Sequence, residues 1–295
     1  MDVEQHLNKW TENPVSYLQR DLLLYAVGIG CDELRFTFEH ADQFAAFPTY
    51  SFVLPYKGTS QDVVTAPSEC QLKGPQIPSL PGTTVLLDGQ RYLELLNPLP
   101  AGGAQLLLRE RLLSCRRVGS GAAVEMESIL VDSSGKQYSR MVSASFLVGA
   151  TGFKDGGTTD PAFAKVAVPD RAPDAVEEMV TSASQARIYR LSGDYNPLHL
   201  DPDFAAGGGL NEPILHGLCT LGISARAVLK RYAGNDPAAL RAIRVRFAKP
   251  VIPGQTLVVE MWQDGKLVLF QTKVKETGIV ICTNAYAELR PSSRL

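Results

Sequence analysis

The sequence has no excess of either charge, no long apolar run and no paired cysteines. Among its 295 residues, Lys+Arg is 29 and Asp+Glu is 31, a formal net charge of −2. That balance excludes a dedicated nucleic-acid or anionic-membrane binder. No apolar run approaches the roughly 18–20 residues of a membrane span. The amino terminus, Met1-Asp2-Val3-Glu4-Gln5, has no basic segment leading into an apolar stretch, which argues against secretion. Cys31, Cys70, Cys115, Cys219 and Cys282 are scattered without a CxxC pair, which predicts reduced intracellular thiols rather than disulfides or a metal site. Gly28-Ile29-Gly30 starts a GxGxxG pattern, but Glu33 takes the third glycine position, so no dinucleotide fingerprint is present. There is no P-loop and no GxSxG.

The residues that are present divide the chain in two. Residues 149–174 are rich in Gly, Pro, Thr and Asp, a composition that disfavours helix and central strand, so residues 151–174 are read as a linker between units 1–150 and 175–295. Before it, residues 105–117, 122–131 and 139–148 read as strands; after it, 243–248, 256–262, 267–274 and 279–289 repeat the pattern. One long helix stands out: apolar positions 218, 221, 225, 228, 229 and 232 form a 3.6-residue stripe ending near Gly234. Such a stripe needs a sheet to cover it, which predicts an α+β architecture of curved antiparallel sheets wrapped on central helices.

The two units also resemble each other. Residues 24–30 (LYAVGIG) align with 188–194 (IYRLSGD), an offset of 189 − 25 = 164, and residues 97–102 (NPLPAG) align with 249–254 (KPVIPG), an offset of 249 − 97 = 152. Two ordered matches with the same strand succession point to an internal duplication. Where the second copy has its helix, the first is punctuated by Pro48, Pro55, Gly58, Pro67, Gly74, Pro75, Pro78, Pro81 and Gly82. A long helix does not survive that punctuation, so the first helix is expected to be degenerate or missing, with its space open to an apolar ligand tail.

Polar chemistry concentrates in residues 189–199, YRLSGDYNPLH. Asp194, Asn196 and His199 fall on a loop that leads through Asp201 and Pro202, an N-cap and first position, into a short helix. An Asp and a His a few residues apart share one acid–base task if the loop curls to bring them together. Asx-Pro sequences are also ordinary turn formers, and a loop His is usually structural. The first copy, however, has Gly30 at the Asp194 position and Arg35 at the His199 position, which favours one working site in the second half. Gly217 then opens the long helix, where unpaired first-turn amides stabilise a developing oxyanion. His216 reads as structural, and Cys219, beside the helical apolar stripe, as a core thiol. Arg109, Arg111, Arg116, Arg117, Arg244, Arg246 and Lys249 read mostly as solvated strand ends, some of them available to a phosphate-bearing ligand.

These residues carry a family resemblance. Residues 189–202 (YRLSGDYNPLHLDP), 213–220 (PILHGLCT) and 246–254 (RFAKPVIPG), with Tyr92-Leu93-Glu94-Leu95 and residues 97–100, resemble the hydratase 2 units of peroxisomal multifunctional enzymes, within the MaoC-like dehydratases. The resemblance spans nearly the whole chain. It implies a double hot-dog fold and reversible hydration of trans-2-enoyl-CoA to (3R)-3-hydroxyacyl-CoA in fatty-acid β-oxidation. It places the catalytic pair on Asp194 and His199, with Asn196 and the Gly217 amide assisting. It places substrate contacts on Asp88, Gly89, Arg117, Tyr195, Pro197, Leu198 and Phe247. Asp88 stands where the family usually has His, which puts that contact in doubt, and Arg117 is an approximate match to a family Lys. An acyl-CoA thioester is the implied partner, a homodimer the implied assembly, and no metal or other cofactor is needed, CoA being part of the substrate. The carboxyl-terminal Ser293-Arg294-Leu295 is similar to the S-K-L peroxisomal import address, which would be read by an import receptor; unread, it would leave the chain cytosolic. Another hot-dog enzyme, either an acyl-CoA thioesterase or a fatty-acid-synthesis dehydratase, and a non-catalytic acyl-CoA binding module are the alternatives.

Overall fold

A computed structural model of the chain describes residues 2–64 and 80–291. Cys70, Pro67, Gly74, Pro75, Pro78 and Ser293-Arg294-Leu295 lie outside the described residues. The first half opens with β1 (Thr11–Leu18), which runs directly into α1 (Gln19–Gly28). Asp21 ends the strand and starts the helix, because its carboxylate accepts the Leu18 amide at 2.8 Å. A short α2 (Leu34–Thr37) follows. The place of a long central helix is taken by a buried 3-10 turn, Pro48–Phe52, and a single helical turn, α3 (Leu54–Lys57). Among the described residues, the degenerate helix expected from the prolines is two packed turns, with Phe47, Tyr50, Phe52, Val53 and Leu54 buried in the core. Four strands complete the half: β2 (Val85–Leu95), β3 (Gly103–Val118), β4 (Gly121–Val131) and β5 (Gln137–Val148).

Residues 149–174 are not a free tether. β6 (Gly156–Gly157) pairs with β3. Phe163 packs with Tyr92, Val142, Ala144 and Ala242. Arg244 donates to the carbonyls of Ala164 and Phe163. The strand-end reading of Arg244 is therefore corrected: it is 1% exposed, because an arginine fork satisfies carbonyls that a chain crossing a sheet would otherwise leave unpaired. Arg109 and Arg111 are held as well. They pair with Glu12 and Glu127, and both guanidinium groups lie over the Trp10 ring, at 5.1 and 4.5 Å.

The second half repeats the order with β7 (Ala175–Val180), α4 (Gln185–Tyr189), α5 (Pro202–Gly207) and the long α6 (Gly217–Tyr232). Then come β8 (Leu240–Phe247), β9 (Thr256–Asp264), β10 (Leu267–Val274) and β11 (Val280–Leu289). Leu218, Leu221, Ala225, Val228 and Leu229 of α6 are buried, so the predicted stripe faces the core. The sheet order is β1-β3-β4-β5-β2-β8-β11-β10-β9-β7. The two halves are mirror sequences joined by antiparallel pairing of β2 with β8, from Gln90 opposite Arg246 to Glu94 opposite Ala242. Instead of two separate sheets, one continuous sheet results. Tyr25 and Tyr189, matched by the 164-residue offset, meet at the join with ring centroids 5.9 Å apart.

Candidate active site

The chain enters the site from α4 through a 3-10 turn, Arg190–Ser192. Gly193 leaves that turn at φ 139°, a conformation that side chains disfavour. A Cβ here would also stand 2.7 Å from Lys57 Cβ and 2.9 Å from Val53 Cγ1. Glycine lets the loop press against the first half, with Asp194 next in line. Asn196 accepts the Leu198 amide at 3.0 Å and Pro197 fixes the next φ, so the chain curls through Pro197–His199 and returns His199 toward Asp194. Asp201 then caps α5 by accepting the Asp203 and Phe204 amides.

Asp194 and His199 are each 8% exposed. His199 Nδ1 lies 2.8 Å from the Ile214 carbonyl oxygen. A carbonyl only accepts, so Nδ1 carries the proton of the neutral ring and Nε2 presents a lone pair. His216 Nε2 donates to the Asp194 backbone carbonyl at 3.2 Å. The two imidazoles stack with centroids 3.6 Å apart, and the Tyr189 ring lies 4.8 Å from that of His216. Burial pushes the Asp194 carboxyl above the usual range, against the pull of His199 and Arg91. Burial lowers His199, against the pull of Asp194, and holds His216 well below the ordinary imidazole value. Desolvation thus favours a neutral pair, a condition in which one proton moves between partners at small cost. The side-chain ligand atoms of Asp194, His199 and His216 all lie within 4.8 Å of one another. The imidazole planes are inclined by only 28°. Each ring already gives one N–H to a backbone carbonyl, His199 to Ile214 and His216 to Asp194.

His216 is the N-cap of α6 and Gly217 its first residue. A Cβ on Gly217 would stand 3.3–3.4 Å from the Phe247 ring, so these two predicted residues meet at the helix start. The first-turn amides lack partners within the helix and sit at its positive end. Tyr195 lies under the Arg190 guanidinium at 4.9 Å. Leu198 lies against α5, its Cδ1 3.3 Å from where a Gly208 Cβ would stand. Gly89 falls at the bulge in the β2–β5 register, where a Cβ would stand 2.8 Å from the Ala144 carbonyl oxygen. The Asp88 carboxylate is occupied: Arg91 Nε bonds both its oxygens at 3.0 Å, while Arg91 Nη2 donates to Tyr56 at 2.8 Å. Arg117 is placed elsewhere. It stacks on Phe153 at 5.5 Å and its amide bonds Asp155, on β3.

Sequence reasoning missed Arg91 and Tyr56. They are 35 residues apart and carry no motif. The structural reading of His216 and Cys219 holds: His216 props Asp194, and the buried thiol bonds the Gly28 carbonyl at 3.5 Å with its pKa raised by burial. The start of the first copy's counterpart loop, residues 30–33, lines a cleft of about 280 Å³ with Arg226 and Lys230. There Asp32 is spent on Arg226 at 3.1 Å.

The buried Asp–His pair lies beside a helix amino terminus, under an antiparallel sheet doubled about β2 and β8, the architecture of a double hot-dog. The chain matches the family model of the MFE-2 hydratase 2 N-terminal domain over residues 15–149 and that of the MaoC like domain over residues 164–285. A Probable enoyl-CoA hydratase 2 of Dictyostelium discoideum is 36% identical, over 99% of this chain and 97% of that protein. The Peroxisomal multifunctional enzyme type 2 of Mus musculus is 42% identical over 94% of this chain; the chain spans 37% of that protein's length. The crystal structure of a MaoC-like dehydratase from Phytophthora capsici superposes with a TM-score of 0.92 at 41% identity, covering 99% of each chain. The chain belongs to the enoyl-CoA hydratase 2 family of MaoC-like proteins, and it is a hydratase.

Proposed function

We propose that this hydratase adds water reversibly to trans-2-enoyl-CoA thioesters to give (3R)-3-hydroxyacyl-CoA. The observation that carries this reading is the buried Asp194–His199 pair, with His199 Nδ1 bound to the Ile214 carbonyl so that Nε2 presents a lone pair. The thioester carbonyl withdraws charge from the 3-position, making it electrophilic. Water gives its oxygen to that carbon. The pair takes one proton from the water and returns one to the 2-position, so no electrons are gained or lost. The Gly217 amide faces the charge that builds on the thioester oxygen. Asn196 holds the turn that returns His199 to Asp194.

The same reading includes a homodimer and a place in peroxisomal β-oxidation, supported by the peroxisomal name of the mouse relative. The test is loss of enoyl-CoA absorbance across chain lengths, with chiral analysis of the product. His199→Ala and Asp194→Asn should each lower kcat by at least about 10²-fold while remaining folded. Substantial turnover in either variant, or an (S) product, would overturn the reading. Release of free thiol would instead indicate thioester hydrolysis.

A further inference from the structure

We infer that Arg91, locked between Asp88 and Tyr56, is a positioning residue that sets the electrostatics of the catalytic pair, and this rests on the Asp194–His199 reading above. Arg91 sits mid-strand in β2, opposite Val245 of β8. Val245 faces the core, and Phe247, which packs on Gly217, lies two residues further along that strand. Arg91 therefore belongs to the inner face of the sheet, one residue pair away from the helix start that receives substrate charge.

Its side chain is fixed from both sides. Nε bonds both Asp88 oxygens and Nη2 the Tyr56 hydroxyl, so the guanidinium plane has little freedom. Tyr56 lies on α3, the same turn whose Val53 and Lys57 touch the Gly193 position. One helical turn thus holds the arginine with one side chain and the catalytic loop with two others. The frame transmits a fixed charge to a fixed carboxyl.

The charges that bear on the site come from several elements. His199 faces Asp194 from its own loop; Arg91 and Asp88 act on it from β2. Tyr189 of α4 and Tyr56 of α3 feel its charge in turn. Glu110 of β3 also feels Arg91, and it is itself pushed toward its neutral form by burial. His216 is held neutral, so it contributes a dipole and no charge. Arg91 is the cation among these groups that titrates with none of them: burial opposes its charge, but Asp88 and Tyr56 hold it protonated. Asp88 weakens its reach toward Asp194 without cancelling it.

The consequence is a pair of opposite effects. Removing Arg91 leaves the Asp88 charge unopposed from β2, so the Asp194 carboxyl binds its proton more tightly. Removing the Asp88 charge frees Arg91 to pull harder on Asp194, so the carboxyl releases its proton more easily. The test is the pH profile of kcat/KM for the full chain, its Arg91→Met, Arg91→Lys, Asp88→Asn and Tyr56→Phe variants, with thermal melts on each. The acidic limb should move up by at least about half a pH unit in Arg91→Met and down by a similar amount in Asp88→Asn. Arg91→Lys should restore most of the shift. Tyr56→Phe should lower kcat with the limb nearly in place. Shifts in one direction for both charge variants, or a limb that stays fixed while activity falls with stability, would overturn the inference. Absence of hydratase activity in the unmodified chain would overturn the underlying functional reading instead.

Discussion

Replacing Gly193 by alanine probes how the first half of the chain supports chemistry in the second. The glycine sits at φ 139°, and an added Cβ would lie 2.7 Å from Lys57 Cβ and 2.9 Å from Val53 Cγ1. Backbone strain of this kind costs about 1–3 kcal/mol. Overpacking a dense core costs about the same again. The sum, roughly 2–6 kcal/mol, is a large part of the 5–15 kcal/mol that separates folded from unfolded chains. At about 2 °C per kcal/mol for a chain of this size, Tm should fall by roughly 4–12 °C. Relief comes from shifting the loop, and Asp194 is the next residue. A displacement near 1 Å costs about 10²-fold in rate, so kcat should fall by that factor even well below Tm. Calorimetry and the enoyl-CoA absorbance assay read the two effects. Gly207→Ala serves as the control, because no atom lies within 4 Å of its Cβ position. A Gly193→Ala protein with unchanged Tm and unchanged kcat would refute the account of the loop as braced by α3.

Three further outcomes follow from buried charges. The raised Asp194 pKa means that the folded state binds the proton more tightly than the unfolded one, so that stability is present at low pH and lost as pH rises through the folded value. Asp194→Asn should therefore melt higher than the parent at pH 7, with the gap closing toward pH 4; a lower Tm at pH 7 would contradict this. Arg244→Met should cost roughly 2–4 kcal/mol in denaturant unfolding, because the Ala164 and Phe163 carbonyls and Gln90 lose their donor; a cost under about 0.5 kcal/mol would count against the pinned linker. Asp21→Ala should cost about 3–5 kcal/mol, since it strands buried Lys57, 3.4 Å away, and uncaps α1; a wild-type melt would show that the ion pair is dispensable.

Much of this fold is legible in the chain because the signals are periodic. The apolar stripe of α6 and the strand runs on either side of residues 149–174 mark themselves. The 164-residue offset matches Tyr25 with Tyr189, and the two rings meet across the join. β2 is harder to see, because a bulge at Asp88-Gly89 interrupts its alternation. The Asp194–His199 pair is legible since a single loop supplies both groups. Arg91, Asp88 and Tyr56 are not: their meeting is made by a strand and a distant turn, and nothing local in either segment requires it. Composition misreads Arg244 for a related reason, as burial of an arginine depends on carbonyls some 80 residues away.

The join between the halves is a mutual brace. α3 of the first half bears on Gly193 of the second, while Arg226 of α6 bonds the Ile29 carbonyl at 3.1 Å and a Cβ on Gly222 would stand 2.6 Å from the Ile29 side chain. Each half thus supplies the buttress for the other's loop. A buttress constrains shape and is indifferent to chemistry, so the first loop needs no acid and base of its own provided its backbone meets α6. The first copy is in this sense a mould: the second loop keeps its form by leaning on it.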